Sequence, residues 1–207
     1  MSLVARQGNS VELIEAGNHH GVCVAVIDLG TQYVEYNGKG KEQPKVMITW
    51  ELVDFPILDE SGESKGFRLI SKEYTASLYE KANMYTDLVS WRGRDFTPAE
   101  LEGFNIKNIL SANCLVNVIH TTKNKKTYAN VSAVAKLPKG MAPKSPTYQL
   151  FYDMDEDVEN IPEGVPDWIK EKIKKSREWI AAVNPQGHDE PAVTDADVPP
   201  DEDDIPF

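Results

Sequence analysis

The sequence predicts a mainly β fold: a small barrel of five strands with one helix inserted between the third and fourth, then a C-terminal helix and a disordered acidic tail. Three observations carry this. Five runs rich in β-branched and aromatic residues are separated by turn chemistry. The hydrophobic period becomes helical after the third run. The charge also changes sign along the chain, from near neutral to strongly acidic.

The first strand runs from His20 through Val22, Val24, Val26 and Leu29 to Tyr36 and bends near Gly30. Asn37 to Pro44 form a turn that carries Lys39 and Lys41. In the second strand, Val46, Ile48, Trp50 and Leu52 alternate with Lys45, Thr49 and Glu51, the pattern of a half-buried strand. After a polar turn over 59–66, Phe67 to Tyr74 read as the third strand, with Phe67 and Leu69 on the core face and Arg68 and Lys72 on the other. Leu78, Tyr79, Ala82, Tyr85 and Leu88 then fall at helical spacing between Thr75 and Val89. Thr97, Pro98 and Glu100 spell a capping box with proline at the first helical position, and Gly103 keeps that helix short. Strands over 112–121 and 127–137 flank the turn Lys123 to Lys126 as a hairpin. In the second of them Ala129, Val131, Ala133, Ala135 and Leu137 share the core face, opposite Tyr128, Asn130, Ser132 and Lys136. Trp168, Ile169, Ile173 and Ile180 mark an amphipathic helix over 166–183 that docks on the body or on a second copy.

This gives an N-terminal extension over 1–18, a body over 19–140, a linker and helix over 141–183, and a tail over 184–207. The tail holds eight acidic residues, five prolines and no base, too little apolar surface to offset the entropy of ordering. Of 33 acidic and 22 basic residues in the whole chain, residues 1–150 hold 16 and 17, so the net charge of −11 comes from the last 57 residues. The overall charge alone would argue against a nucleic-acid partner; its location removes that objection. The longest apolar runs are far short of a bilayer span, no secretory pattern opens the chain, and Cys23 and Cys114 sit in apolar runs as buried thiols. These features predict a cytoplasmic protein.

Five strands with a helix between the third and fourth is the arrangement of the OB-fold, although a five-stranded SH3-like barrel or an α+β sheet would bury the same faces. An OB-fold takes ligands across strands 2–3, between the loops joining strands 1–2 and 4–5. Bases concentrate there: Lys39, Lys41 and Lys45 at the first loop, Lys123, Lys125 and Lys126 at the second, Arg68 and Lys72 between them. Wet loops are commonly lysine-rich, so a groove also needs rings on which bases stack. Tyr128 and Tyr74 are the first candidates, Arg92 and Arg94 beside Trp91 form a flanking basic-aromatic lobe, and Lys136 shares the face of Tyr128.

The last residues, Asp201-Glu202-Asp203-Asp204-Ile205-Pro206-Phe207, resemble the C-terminal peptide of bacterial single-stranded DNA-binding proteins. A ring at the end of a solvated acidic run makes sense if a partner pocket buries it while a base pairs with the carboxylate. The body departs from the bacterial proteins' core. Over residues 20–140, through Leu101 to Leu110, Cys114 to Val118 and Tyr128 to Pro138, it is more similar to phage-encoded single-stranded DNA-binding proteins. The resemblance implies a body that coats single-stranded DNA during replication, recombination or repair in a bacterium or phage-infected host. It also implies that Asp203, Asp204, Ile205, Pro206 and Phe207 recruit replication and recombination proteins.

No catalytic constellation is legible. The histidines lack metal-ligand spacing, there is no phosphate loop, and the acidic pairs lie outside the packed body, so neither cofactor nor metal is expected. The first reading is thus a non-catalytic, sequence-nonspecific single-stranded DNA-binding protein, with a homodimer through the 166–183 helix or a sheet edge compatible with it. A second reading is a protein-interaction module whose tail imitates the host protein's tail, and a third is an RNA-binding OB protein.

Overall fold

The structure, a computed structural model, describes residues 13–36 and 39–183. Its strands are β1 (Gly17–Tyr36), β2 (Lys39–Leu58), β3 (Ser64–Thr75), β4 (Asn113–Lys123), β5 (Lys126–Lys136) and β6 (Leu150–Tyr152). Helices α1 (Asn83–Arg92) and α2 (Pro98–Glu102) lie between β3 and β4, and α3 (Asp167–Ile173) and α4 (Arg177–Val183) follow β6.

β1 organises the sheet. On one side it pairs with β2 along nearly its whole length, and on the other with β4 through Gly17–Val22 and then with β6 through Ala25–Ile27. Bulges at Cys23/Ala25 and Asp28/Gly30 bend it. Gly30 takes a φ of 65° at the second bulge, and at Gly21 a Cβ would lie 2.6 Å from Val116 Cγ2, so the β1–β4 approach requires glycine. The strand order is β3-β2-β1-β4-β5, antiparallel throughout, with β6 added parallel to β1.

The sequence pointed to a five-stranded OB-fold barrel; the sheet has six strands and is open between β3 and β5. Those two edges run parallel to each other, because each is two antiparallel steps from β1. Side chains bridge them instead of a ladder. Asp87 of α1 accepts from Lys72 Nζ (2.8 Å) and Tyr74 OH (2.7 Å) of β3 and from the backbone N–H of Val134 in β5 (3.4 Å). Lys72 also donates to the carbonyl of Ser132 at 3.1 Å.

The main core lies inside the curved sheet, where Val26, Ile48, Trp50, Leu52, Ile70, Val116 and Val134 pack against Met84, Leu88 and Trp91. Burying each of the larger ones contributes about 1.5–3 kcal/mol relative to exposure. A second cluster lies outside: Met154, Val165, Ile169 and Ile173 cover Ala25, Ile27, Leu29 and Met47. This cover explains why β2 is buried on both faces. Lys45, Thr49 and Glu51, expected on a wet face, are buried, and Glu51 accepts from the backbone N–H and hydroxyl of Thr147.

Other elements differ in ways that physics accounts for. The faces of β3 are the reverse of the expectation. Ile70 and Tyr74 are buried on the parity of Arg68 and Lys72, against the core and Asp87, whereas Leu69 is exposed and Phe67 only partly buried. A bulge between Asn117 and Val118 shifts the parity of β5, so Val131 and Val134 are buried and Ala133 is exposed. The helix expected over Thr75–Val89 begins only at Asn83. The helix expected over 166–183 breaks at Lys174–Ser176, where the Ser176 hydroxyl accepts from the backbone N–H of Trp179. The hairpin turn, the capping box at Thr97–Glu100 and the core faces of β2 and of Cys114, Val116 and Val118 fall where the sequence put them. Among the described residues, no helix is long and apolar enough to cross a membrane.

Candidate nucleic-acid interface

The β4–β5 hairpin projects beyond the start of β1, and its turn is built by Asn124 and Lys125 at φ 52° and 64°. Two successive left-handed residues match the right-handed twist of the strands they join. The register Lys123↔Lys126, Thr121↔Tyr128 and Ile119↔Asn130 puts these six side chains on one face. All six are exposed, and Tyr128 is 47% accessible. Asn130 donates to Thr121 Oγ1 at 2.5 Å, stiffening the ribbon beside the ring. Lys125 is exposed at the tip. The opposite face returns to the core through His120, which contacts the carbonyl of Ile14, and through Val118 and Val131.

Further candidates follow β5 toward its other end. Because β3 and β5 run parallel and meet at Lys72–Ser132, the start of β3, with half-buried Arg68, lies on the same side as the start of β5, with Tyr128. Lys72 sits at the seam itself, held by Asp87 and Ser132. At the far end, Lys136 lies against Gly93, whose Cβ would meet Lys136 Cδ at 2.7 Å. Beside it Arg92 and Arg94 converge on Glu100: Arg94 donates both Nη atoms at 2.7 and 2.9 Å, and Arg92 Nη2 donates to Oε1. The Arg92 guanidinium is flanked by the Phe96 and Phe104 rings at 4.2 and 5.2 Å. The hydrogen bonds from Arg94 and Arg92 hold the Glu100 carboxyl well below the usual carboxylate range. Lys123, Lys125, Lys126 and Tyr128 thus share the hairpin, and Arg68 lies at the start of β3, whereas Lys72 is held in the seam. The bulge at Asn117/Val118 puts Lys136, across from buried Cys114, on the face opposite Tyr128 and beside Arg92 and Arg94.

The remaining candidates are elsewhere. The β1–β2 turn with Lys39 and Lys41 lies at the end of β1 opposite the β4–β5 turn, so the structure does not bring the two lysine groups together. Lys45, 7% exposed, donates to Thr75 Oγ1 at 2.9 Å. Tyr74, 3% exposed, is a core residue; burial and the neighbouring Asp87 raise its phenol, and it offers no face to a base. Helices α3 and α4 roof the outer surface near this turn through Lys172–Glu73, Arg177–Glu42 and Thr31–Glu178. The tail residues Asp203, Asp204, Ile205, Pro206 and Phe207 lie outside the described residues.

No protein-family model and no curated protein matches this chain.

Sequence reasoning put Asn130 on the face of Tyr128 but missed Ile119 across from it, and Glu100 as the clamp on two arginines. Ile119 was recoverable, because a two-residue turn at Asn124–Lys125 fixes which residues oppose each other. Glu100 was legible only as a capping residue, and it fills that role as well, accepting from the backbone N–H of Thr97 at 2.9 Å.

Proposed function

We propose that the protein is a non-catalytic, sequence-nonspecific single-stranded DNA-binding protein that holds the strand along β5 and serves replication, recombination or repair. The observation that carries this reading is the half-exposed Tyr128 ring on the same hairpin face as Lys123 and Lys126. A ring for stacking beside cations for phosphates is the combination that binds single strands without reading sequence. The strand order supports an OB-type body: β3-β2-β1-β4-β5 with helices between β3 and β4 corresponds to a partly open five-stranded barrel whose gap lies between its third and fifth strands. The roof of α3 and α4 over the outer β1–β2 surface favours a path on the β3–β5 side over one across strands 2 and 3. The acidic segment over 184–207 supplies the partner-recruiting element, with Ile205, Pro206 and Phe207 as its apolar end.

The test is fluorescence anisotropy of labelled oligo-dT, the matching duplex and an RNA of equal length across a salt series. This reading requires tight binding to oligo-dT, weaker binding to duplex and a steep loss of affinity with salt. Preference for RNA redirects it to an RNA-binding protein, and no binding to any of the three redirects it to a protein-interaction module.

A further inference from the structure

The far end of β5 borders an open cleft of about 480 Å³. Trp91 and Phe104 supply apolar walls; Arg92, Arg94, Lys136 and Glu100 supply its charge. Three cations against one carboxylate leave a formal excess of two positive charges. Glu100 occupies both Nη atoms of Arg94 and Nη2 of Arg92, which fixes the arginines in place. Arg92 Nη1 is buried and has no hydrogen-bond partner. The Phe96 and Phe104 rings flank this guanidinium, so its charge is held in a partly apolar wall of the cleft, where an anion is attracted more strongly than in water. Lys136 is exposed at the rim, with the Asn108 side chain also in the lining.

From this we propose that the cleft is an end pocket that takes the phosphomonoester of a terminal nucleotide. The proposal rests on the strand path given above. A phosphomonoester carries about −1.5 to −2 charge and three strong acceptor oxygens, matching the local excess; an internal phosphodiester carries only one charge. The cleft also has the size of a small-ligand site, roughly 300–1,000 Å³, so one nucleotide fits it.

The experiment uses the full chain and three oligo-dT strands of about ten nucleotides, with a 5′-phosphate, a 3′-phosphate or neither. One phosphorylated strand is expected to bind roughly tenfold tighter than the bare strand, and the strand that does so identifies the terminus. Lys136→Gln, a rim change that leaves the Arg–Glu clamp intact, should reduce that ratio to about twofold or less. Equal binding of all three strands, or a ratio that survives Lys136→Gln, overturns the proposal. Should no strand bind, the DNA-binding reading fails and thymidine monophosphate decides the cleft. A rise in Tm that is lost in Lys136→Gln supports a mononucleotide pocket, and no rise overturns it.

Discussion

Tyr74 of β3 donates its phenolic hydrogen to Asp87 of α1 at 2.7 Å, inside the seam where the two edges of the sheet meet. The same carboxylate accepts from Lys72 and from the backbone of Val134, so one side chain joins β3, β5 and α1. In an open sheet this junction takes the place of the missing β3–β5 ladder. Asp87→Ala leaves a lysine, a phenol and an N–H without their acceptor and should cost about 3–5 kcal/mol. Tyr74→Phe should cost only about 1 kcal/mol. Urea unfolding of both variants checks this, and equal losses would mean that Asp87 is not the shared junction.

The tyrosines that look alike in the sequence should separate in binding. Tyr128→Ala is expected to weaken oligo-dT binding by about 1–3 kcal/mol without changing the salt slope, because stacking releases no counterions. Tyr74→Phe should leave affinity unchanged, since that ring is buried. A Tyr128→Ala protein that binds like the parent would remove the hairpin face from the interface.

Acid should loosen the strap formed by α4. The Glu178 carboxylate accepts from the backbone N–H and hydroxyl of Thr31 at 2.7 and 2.6 Å. Burial pushes its pKa up, but the hydrogen bonds from Thr31 outweigh burial, and the net shift is below the ordinary value of 4.5. A depressed folded-state pKa means that this contribution is complete above the unfolded value and is lost as pH falls through the folded one. Amide-exchange protection over 177–183 should therefore fall below about pH 4.5 in the parent, whereas Glu178→Gln should be less protected already at pH 7 and show less acid dependence. A parent and variant with identical pH profiles would contradict this.

Removing residues 184–207 should tighten DNA binding at low salt. Eight acids tethered to the same chain would compete with phosphates for the hairpin lysines, and the competition would fade as salt screens it. Affinities of full-length and truncated chains should differ at low salt and converge at high salt; equal affinities throughout would show that the tail does not reach those lysines.

Much of the body was legible because its alternations are strong: the core face of β2, the Lys123–Lys126 hairpin and the Thr97–Glu100 capping box all follow local rules. What failed depended on tertiary context. Lys45 and Glu51 look solvent-facing, yet Lys45 is buried against Thr75 and Glu51 under Thr147, and no periodicity within β2 announces partners supplied by distant segments. Lys72 and Tyr74 look like ligand contacts because a lysine and a tyrosine on one strand face resemble a binding surface. Only the position of Asp87 turns them into a seam. The β1–β2 lysines were grouped with those of β4–β5 by analogy to a groove, whereas the register of β1 puts them at its opposite ends. Tyr128 was recoverable because a short turn dictates its neighbours.

The central claim, that single-stranded DNA runs along the β4–β5 hairpin, is tested most directly by the salt dependence of oligo-dT affinity for the parent and for a Lys123→Ala, Lys125→Ala, Lys126→Ala triple variant. Each lysine that neutralises a phosphate contributes about 0.7 to the slope of log K against log salt on a single strand, so losing three should reduce the slope by about two. The lysines are exposed at a tip, and the variant should keep the parent's Tm. A slope reduced by about two with an unchanged Tm is the predicted result. Superimposable salt titrations of parent and variant would contradict the claim.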